Sequence, residues 1–214
     1  MDDVTGDFRA TVTAALDAAA ERLTGHPYYH ALRHGTLPDV VYDHFAGQDL
    51  HLLPAYGRAH AGAASTIPGA EAAGFLARMA AICLDNAAAD AARGGGRPEA
   101  GPATVAYTSF LAAAAAASPA AALGALLPSA YLQLAVNDDL VTRVVPGTGY
   151  EQRVRESHPG DEYRKLVDEF VGLVAGFGAG RCAAEQAELM RHLTVAARFE
   201  YAFVQAAWLL ESWA

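Results

Sequence analysis

With 214 residues, 53% of them hydrophobic, the chain is long enough to bury one substantial core and too short for two comfortable ones, so one domain spanning 1–214 is expected. A net charge of -9 argues against a phosphate-binding surface, since non-specific nucleic-acid affinity comes mainly from Lys and Arg displacing counterions. The acidic start MDDVTGDFRATV is unlike a signal peptide, no apolar run is read as a membrane span, and two cysteines without CxxC spacing, Cys83 and Cys182, suit a reducing compartment; a cytoplasmic protein that engages neither membrane nor nucleic acid is expected.

From Asp3 to Leu23, residues Val4, Phe8, Val12, Leu16 and Leu23 share one side of a 3.6-residue repeat and alanines fill the rest, which predicts an amphipathic helix ending at Gly25. Pro27 suits the first turn of a short helix, and Gly35 with Pro38 marks a stop and a new start that Thr36 or Asp39 would cap. In Pro38–Tyr56 the apolar positions Val41, Phe45, Leu52, Leu53 and Tyr56 form one face, and Asp49 lies on it. Pro54 should bend this helix near Leu53 rather than end it. Ile67-Pro68-Gly69 breaks the chain, Ala70–Arg93 is helical by composition, and Gly94-Gly95-Gly96-Arg97-Pro98 predicts an exposed loop.

Two alanine-rich helices follow, separated by Ser118-Pro119, and their alanines are read as close-packed bundle core. Leu126, Ser129, Gln133 and Val136 share a face of the second; small and polar residues there suit a pocket wall, and nearly as well interior groups bonded to a facing helix. Gly147–His158 is shorter. Asp161 is the expected cap of the helix that keeps Tyr163, Leu166, Val167, Phe170 and Leu173 in register. The last helix is read over Leu189–Trp213, where Leu193, Ala196, Phe203, Val204 and Ala207 share a side with Glu200. With no alternating strand pattern, the fold class is all-α, a multi-helix bundle around one central pocket.

Two separate helices therefore each carry an inward acid. Desolvation penalises a buried carboxylate, so it keeps its proton or finds a partner. One reading is a structural acid bonded to a tyrosine or a backbone group; the other is a pair of carboxylates doing acid and base work. Metal ligation is not expected: His44 and His51 lie on one helix, and the last helix offers only His192 beside Glu200.

The pieces HPYYHALRHGTLP, FAGQDLHLL, YTSF, ALLPSAYLQL, GDEYRKLV and FEYAF, in this order, resemble the TenA/thiaminase II family over nearly the whole chain. The resemblance implies a heme-oxygenase-like all-α fold, a homo-oligomer (dimer or tetramer), no cofactor, and hydrolysis of a small-molecule aminopyrimidine, either replacing an amino group or cleaving thiamin. It implies that Asp49 bonds the pyrimidine, that Glu200 donates the proton, and that Tyr107 and Phe203 line the pocket. Four substrate-facing positions depart from the family pattern: Ser129 replaces the attacking cysteine, Leu52 and Gln133 replace stacking tyrosines, and His158 stands near where another tyrosine is expected. A serine hydroxyl is a far weaker nucleophile than a thiol that is partly thiolate. Three functions follow: an aminopyrimidine hydrolase with a modified pocket, a repurposed acid-catalysing enzyme of specialised metabolism acting on a more apolar molecule, and a non-catalytic small-molecule binder.

Overall fold

The computed structural model describes residues 2–92 and 97–214, with side chains from residue 7 onward. The side chain of Val4 and the loop residues Gly94, Gly95 and Gly96 lie outside the described residues. Among the described residues the chain is all-α, in the order α1 (Asp2–Thr24), α2 (Pro27–Arg33), α3 (Asp39–Thr66), α4 (Ala70–Ala92), α5 (Pro102–Ala117), α6 (Pro119–Arg143), α7 (Glu151–Glu156), α8 (Gly160–Ala179) and α9 (Ala183–Trp208).

Helix α6 is the centre. Leu123, Leu126, Leu127 and Leu132 are fully buried, each contributing about 1.5–3 kcal/mol of hydrophobic stabilisation. It packs against α1, α3, α5, α8 and α9. The approach to α9 is so close that a β-carbon on Gly124 would overlap the carbonyl oxygen of Leu189, so only glycine fits there. The start of α6 is set by Ser118, whose hydroxyl accepts from the Ala121 N–H at 3.0 Å and donates to Glu188 at 3.0 Å.

The predicted inward stripe of α1 is buried at Phe8, Val12, Leu16 and Leu23. At the start of α2, Pro27 follows His26, whose Nδ1 accepts from the Tyr28 N–H at 3.0 Å while Nε2 donates to Gln205 at 2.8 Å. Gly35, with φ at +69°, ends this segment in the left-handed region that favours glycine. Helix α3 runs unbroken through Pro54. Proline has no N–H, so the Leu50 carbonyl four residues earlier loses its helical donor. Arg97 supplies a replacement at 2.6 Å.

Several expectations need correction. Neither Thr36 nor Asp39 caps α3: Pro38 occupies that position, Thr36 turns back to the Ala31 carbonyl, and Asp39 accepts from Tyr150 at 2.8 Å. Pro159, not Asp161, stands at the head of α8, leaving Asp161 in the first turn, where the helix dipole still favours it. Of Ala112–Ala117 only Ala114 is buried, whereas α6 buries Ala120, Ala121, Ala122, Ala125 and Ala130. Helix α9 begins six residues before Leu189 and stops at Trp208. Beyond it Leu210 adopts a φ of 54°, and the tail turns onto the start of α5, where Trp213 donates to the Ala100 carbonyl at 2.8 Å.

Contrary to expectation, α4 and α6 are long and apolar enough to cross a membrane by length and composition. Most of α6 is buried among other helices, as in a soluble core helix, whereas α4 packs mainly on α3 and leaves Ile82 and Leu84 exposed.

Among the described residues the buried apolar side chains form two clusters. One joins α1, α3, α4, α6 and α8 through Leu16, Phe75, Leu76 and Phe170; the other gathers Tyr28, Leu32, Leu132, Leu140 and Val154 around α2 and α7. The site lies where they meet.

Candidate active site

A cavity of about 280 Å³ opens between α2, α3, α6, α7 and α9. Helix α3 lines it with Tyr42, Phe45, Asp49, Leu52, Leu53 and Tyr56, residues whose helical spacing keeps them on one side. Helix α6 contributes Ser129, Leu132, Gln133, Val136, Asn137 and Leu140 by the same rule, and α9 adds Glu200, Phe203 and Val204. Tyr28, Tyr29 and Leu32 come from α2, and Tyr150, Arg153, Val154 and Ser157 from the α7 region.

Glu200 is held by hydroxyl groups. Tyr56 and Tyr107 both donate to its Oε1, at 2.8 and 2.6 Å, and Ser129 bonds to the same carboxyl. The Tyr56 and Tyr107 hydroxyls also contact one another. Burial pushes the Glu200 pKa up, and the hydrogen bonds from Tyr107, Tyr56 and Ser129 pull it back part of the way, leaving it above the usual carboxylate range. Burial, followed by the charge on Glu200, pushes both tyrosines well above their ordinary value, so they stay protonated and serve as donors.

Asp49 differs because no hydroxyl cluster supports its charge. Burial, then the negative charges of Glu200 and Asp90, raise its pKa to about 7. Two carboxyls on α3 and α9 thus share one hollow in unlike settings: Glu200 is stabilised by three donors, whereas burial and the neighbouring negative charges favour the protonated form of Asp49. That separation of roles is what acid–base chemistry on a bound molecule requires.

Six of the eight residues singled out from the sequence line this cavity: Asp49, Glu200, Ser129, Gln133, Leu52 and Phe203. Gln133 accepts from Tyr163 at 2.8 Å, which fixes its side-chain oxygen. Two lie elsewhere. Tyr107 has no accessible surface and stands behind Glu200, stacked on Phe199 at 5.1 Å, so it positions the acid rather than lining the pocket. His158 is drawn away by Asp138, to which its Nε2 lies at 2.9 Å; neighbouring Ser157 reaches the cavity instead. The structural and chemical readings of Glu200 coincide, because the tyrosines that satisfy it also orient it.

Most of the aromatic wall is not marked in the sequence. Tyr28, Tyr29, Tyr42 and Tyr150 surround the hollow, with Phe45 5.4 Å from Phe203 at a steep angle. Extending the Asp49 stripe of α3 back two turns would have found Tyr42. The adjacent pair in HPYYH needed the short α2 to be docked first, and nothing in the sequence marked Arg153. Neither cysteine enters: Cys83 is half-buried outside the cavity, its pKa pushed up to about 11 by burial, and Cys182 is exposed at the start of α9. Among the described residues no group of three or more His, Cys, Asp or Glu side chains is placed to hold a metal ion.

The molecule is thus an all-helical bundle enclosing a pocket with two carboxyls and an aromatic wall. Its fold is that of the TenA proteins. A TenA homologue from Pyrococcus furiosus superposes with a TM-score of 0.82 at 13% identity, covering 94% of this chain and 99% of its own. A TenA-like protein from Sulfolobus solfataricus that carries a provisional thiaminase name gives 0.70 at 15% identity, covering 95% of this chain and 96% of its own. A TenA family transcription regulator from Silicibacter sp. TM1040 gives 0.70 at 19%, with the same two shares. No family model and no curated protein matches the sequence.

Proposed function

We propose that the chain hydrolyses an aminopyrimidine, with Glu200 and Asp49 as its catalytic pair. The supporting observation is the carboxyl of Glu200, fixed by Tyr56 and Tyr107 and opening on the same hollow as Asp49. An aminopyrimidine presents a ring nitrogen beside an exocyclic amine, and a carboxyl that titrates near neutrality can share a proton with that edge; this is the role of Asp49. The aromatic wall, above all Phe45 and Phe203, takes the flat ring and makes good the tyrosines absent at Leu52 and Gln133.

Ser129 offers a hydroxyl, a far weaker nucleophile than a thiol that is partly thiolate. We therefore take water as the attacking group. Its oxygen bonds to the exocyclic methylene carbon as the carbon–nitrogen bond breaks; Glu200 accepts the water proton and passes it to the departing ammonia. Incubation with 4-amino-5-aminomethyl-2-methylpyrimidine should release ammonia, and Glu200→Gln should lower the rate at least about a hundredfold. Absence of turnover of that compound and of thiamin, beside an active TenA control, would refute the assignment.

A second reading is favoured by the apolar stretch Leu23, Leu32, Leu132, Val136 and Leu140, which suits a greasier substrate of specialised metabolism protonated by the same acids. A non-catalytic binder is the outcome if ligands bind and Glu200→Gln changes nothing but affinity. The proposal also makes the protein a cytoplasmic homo-oligomer, which the exposed Ile82, Leu84 and α5 alanines support; a monomer by light scattering would contradict the assembly.

A further inference from the structure

The cavity has two unlike ends. On α3, Tyr42 precedes Asp49 by seven residues, about 10 Å along the axis, and on α6, Asn137 follows Ser129 by eight, about 12 Å. The acids thus occupy one end, and Tyr42, Asn137, Tyr150, Arg153 and Ser157 the other. Tyr28 lies between, within electrostatic reach of Asp49 on one side and of Tyr42 and Tyr150 on the other.

Among the described residues Arg153 is the one cationic side chain lining this cavity. Its guanidinium lies over the Tyr42 ring, 4.5 Å from the centroid, and 5.9 Å from that of Tyr150. A guanidinium held over aromatic rings is restrained in position and keeps N–H donors to offer a ligand. The nearby acid is otherwise engaged: Asp39 accepts from Tyr150, and among the described residues no carboxylate lies within 4 Å of the Arg153 guanidinium. Other surface arginines of the α7–α8 region do pair, Arg155 with Glu151 and Arg164 with Asp138. In a chain of net charge -9, a pre-oriented cation without an acid partner at a pocket mouth is a recognition element for an anion.

We propose that the substrate carries an oxyanion, a carboxylate or a phosphate monoester, on a tail about 10 Å from its basic head, and that Arg153 binds it. This rests on the assignment of the acid end to a basic heterocycle, and it makes Arg153 a specificity residue. A fork of N–H donors takes two oxygens of either anion. The acids at the far end would repel that anion, so the charge pattern also fixes which way round the molecule enters.

The test uses two ligand series and calorimetry on the full chain. In the first, a 4-aminopyrimidine bears at the end of a 5-substituent long enough to span about 10 Å a neutral hydroxyl, a carboxylate or a phosphate monoester. In the second, benzyl compounds carrying the same three tails at the same reach offer an aromatic ring without a basic head. Wild type should bind at least one anionic member of a series about tenfold more tightly than the neutral one, and the better anion identifies the tail. In Arg153→Met, which keeps the aliphatic stem, that ratio should fall to within twofold of one; Arg153→Lys should restore part of it. An Arg153-dependent preference in the benzyl series with no aminopyrimidine binding would sink the hydrolase assignment and leave this inference standing. Aminopyrimidine binding without anion preference would do the reverse. No preference in either series, or one that persists in Arg153→Met, overturns the inference.

Discussion

Replacing Asp49 with asparagine removes a charge while keeping the shape, and the structure sets both the sign and the size of the result. The folded-state pKa of about 7 lies above the ordinary 3.8, so between those values the folded protein keeps a proton that the unfolded chain has lost. Wild-type stability is unpenalised below about pH 3.8 and declines as pH rises, until the carboxyl has ionised in the folded state above about pH 7. At about 1.4 kcal/mol per pH unit this caps the loss near 4 kcal/mol. Because Asp49 opens on a cavity that water can enter, roughly 2–3 kcal/mol is the expected net effect. Urea unfolding followed by circular dichroism, run at unit intervals from pH 4 to pH 8, should find Asp49→Asn equal to wild type at the acid end and more stable by that amount at the alkaline end. Glu200→Gln removes the like charge and should move the window to lower pH. If the gap between Asp49→Asn and wild type stays constant across the range, the carboxyl is not held protonated and the reasoning about its environment is wrong.

Tyr107→Phe removes one of three donors to Glu200. It should cost about 1–2 kcal/mol of stability and raise the pH at which Glu200 titrates, seen by carbon-13 NMR of the labelled carboxyl; an unmoved titration would show that the hydroxyl does not act on the acid. Gly124→Ala should destabilise by about 2–4 kcal/mol in urea, because the added carbon overlaps backbone at Leu189 and no rotamer change relieves it. Gly178→Ala meets first the side-chain ring of Phe8 rather than backbone, and should cost less; equal losses would undo the comparison.

The inward placement of Asp49 and Glu200 was legible because long amphipathic helices state their buried face through period alone. Which hydroxyls would meet Glu200 was not, since Tyr56, Tyr107 and Ser129 arrive from α3, α5 and α6 and their convergence is a property of packing. Capping was misjudged where a residue with the right chemistry had a better partner, as Asp39 has in Tyr150. At the C-terminus, Leu209, Leu210 and Trp213 continue an apolar rhythm that the backbone abandons at Leu210. His158 was placed by resemblance to a tyrosine, but an imidazole beside Asp138 gains more from that carboxylate than from an aromatic wall. The alanines of α5 misled for a related reason: a small side chain permits close packing without demanding it.

The rung missing from α3 at Pro54 falls between Asp49 and Tyr56, so the two ends of the acid cluster are joined across a flaw in their own ladder. The donor that the Leu50 oxygen lacks comes from outside the helix, from the Arg97 side chain. Arg97→Ala would leave that carbonyl to water and loosen α3 between Asp49 and Tyr56 without touching a single wall residue.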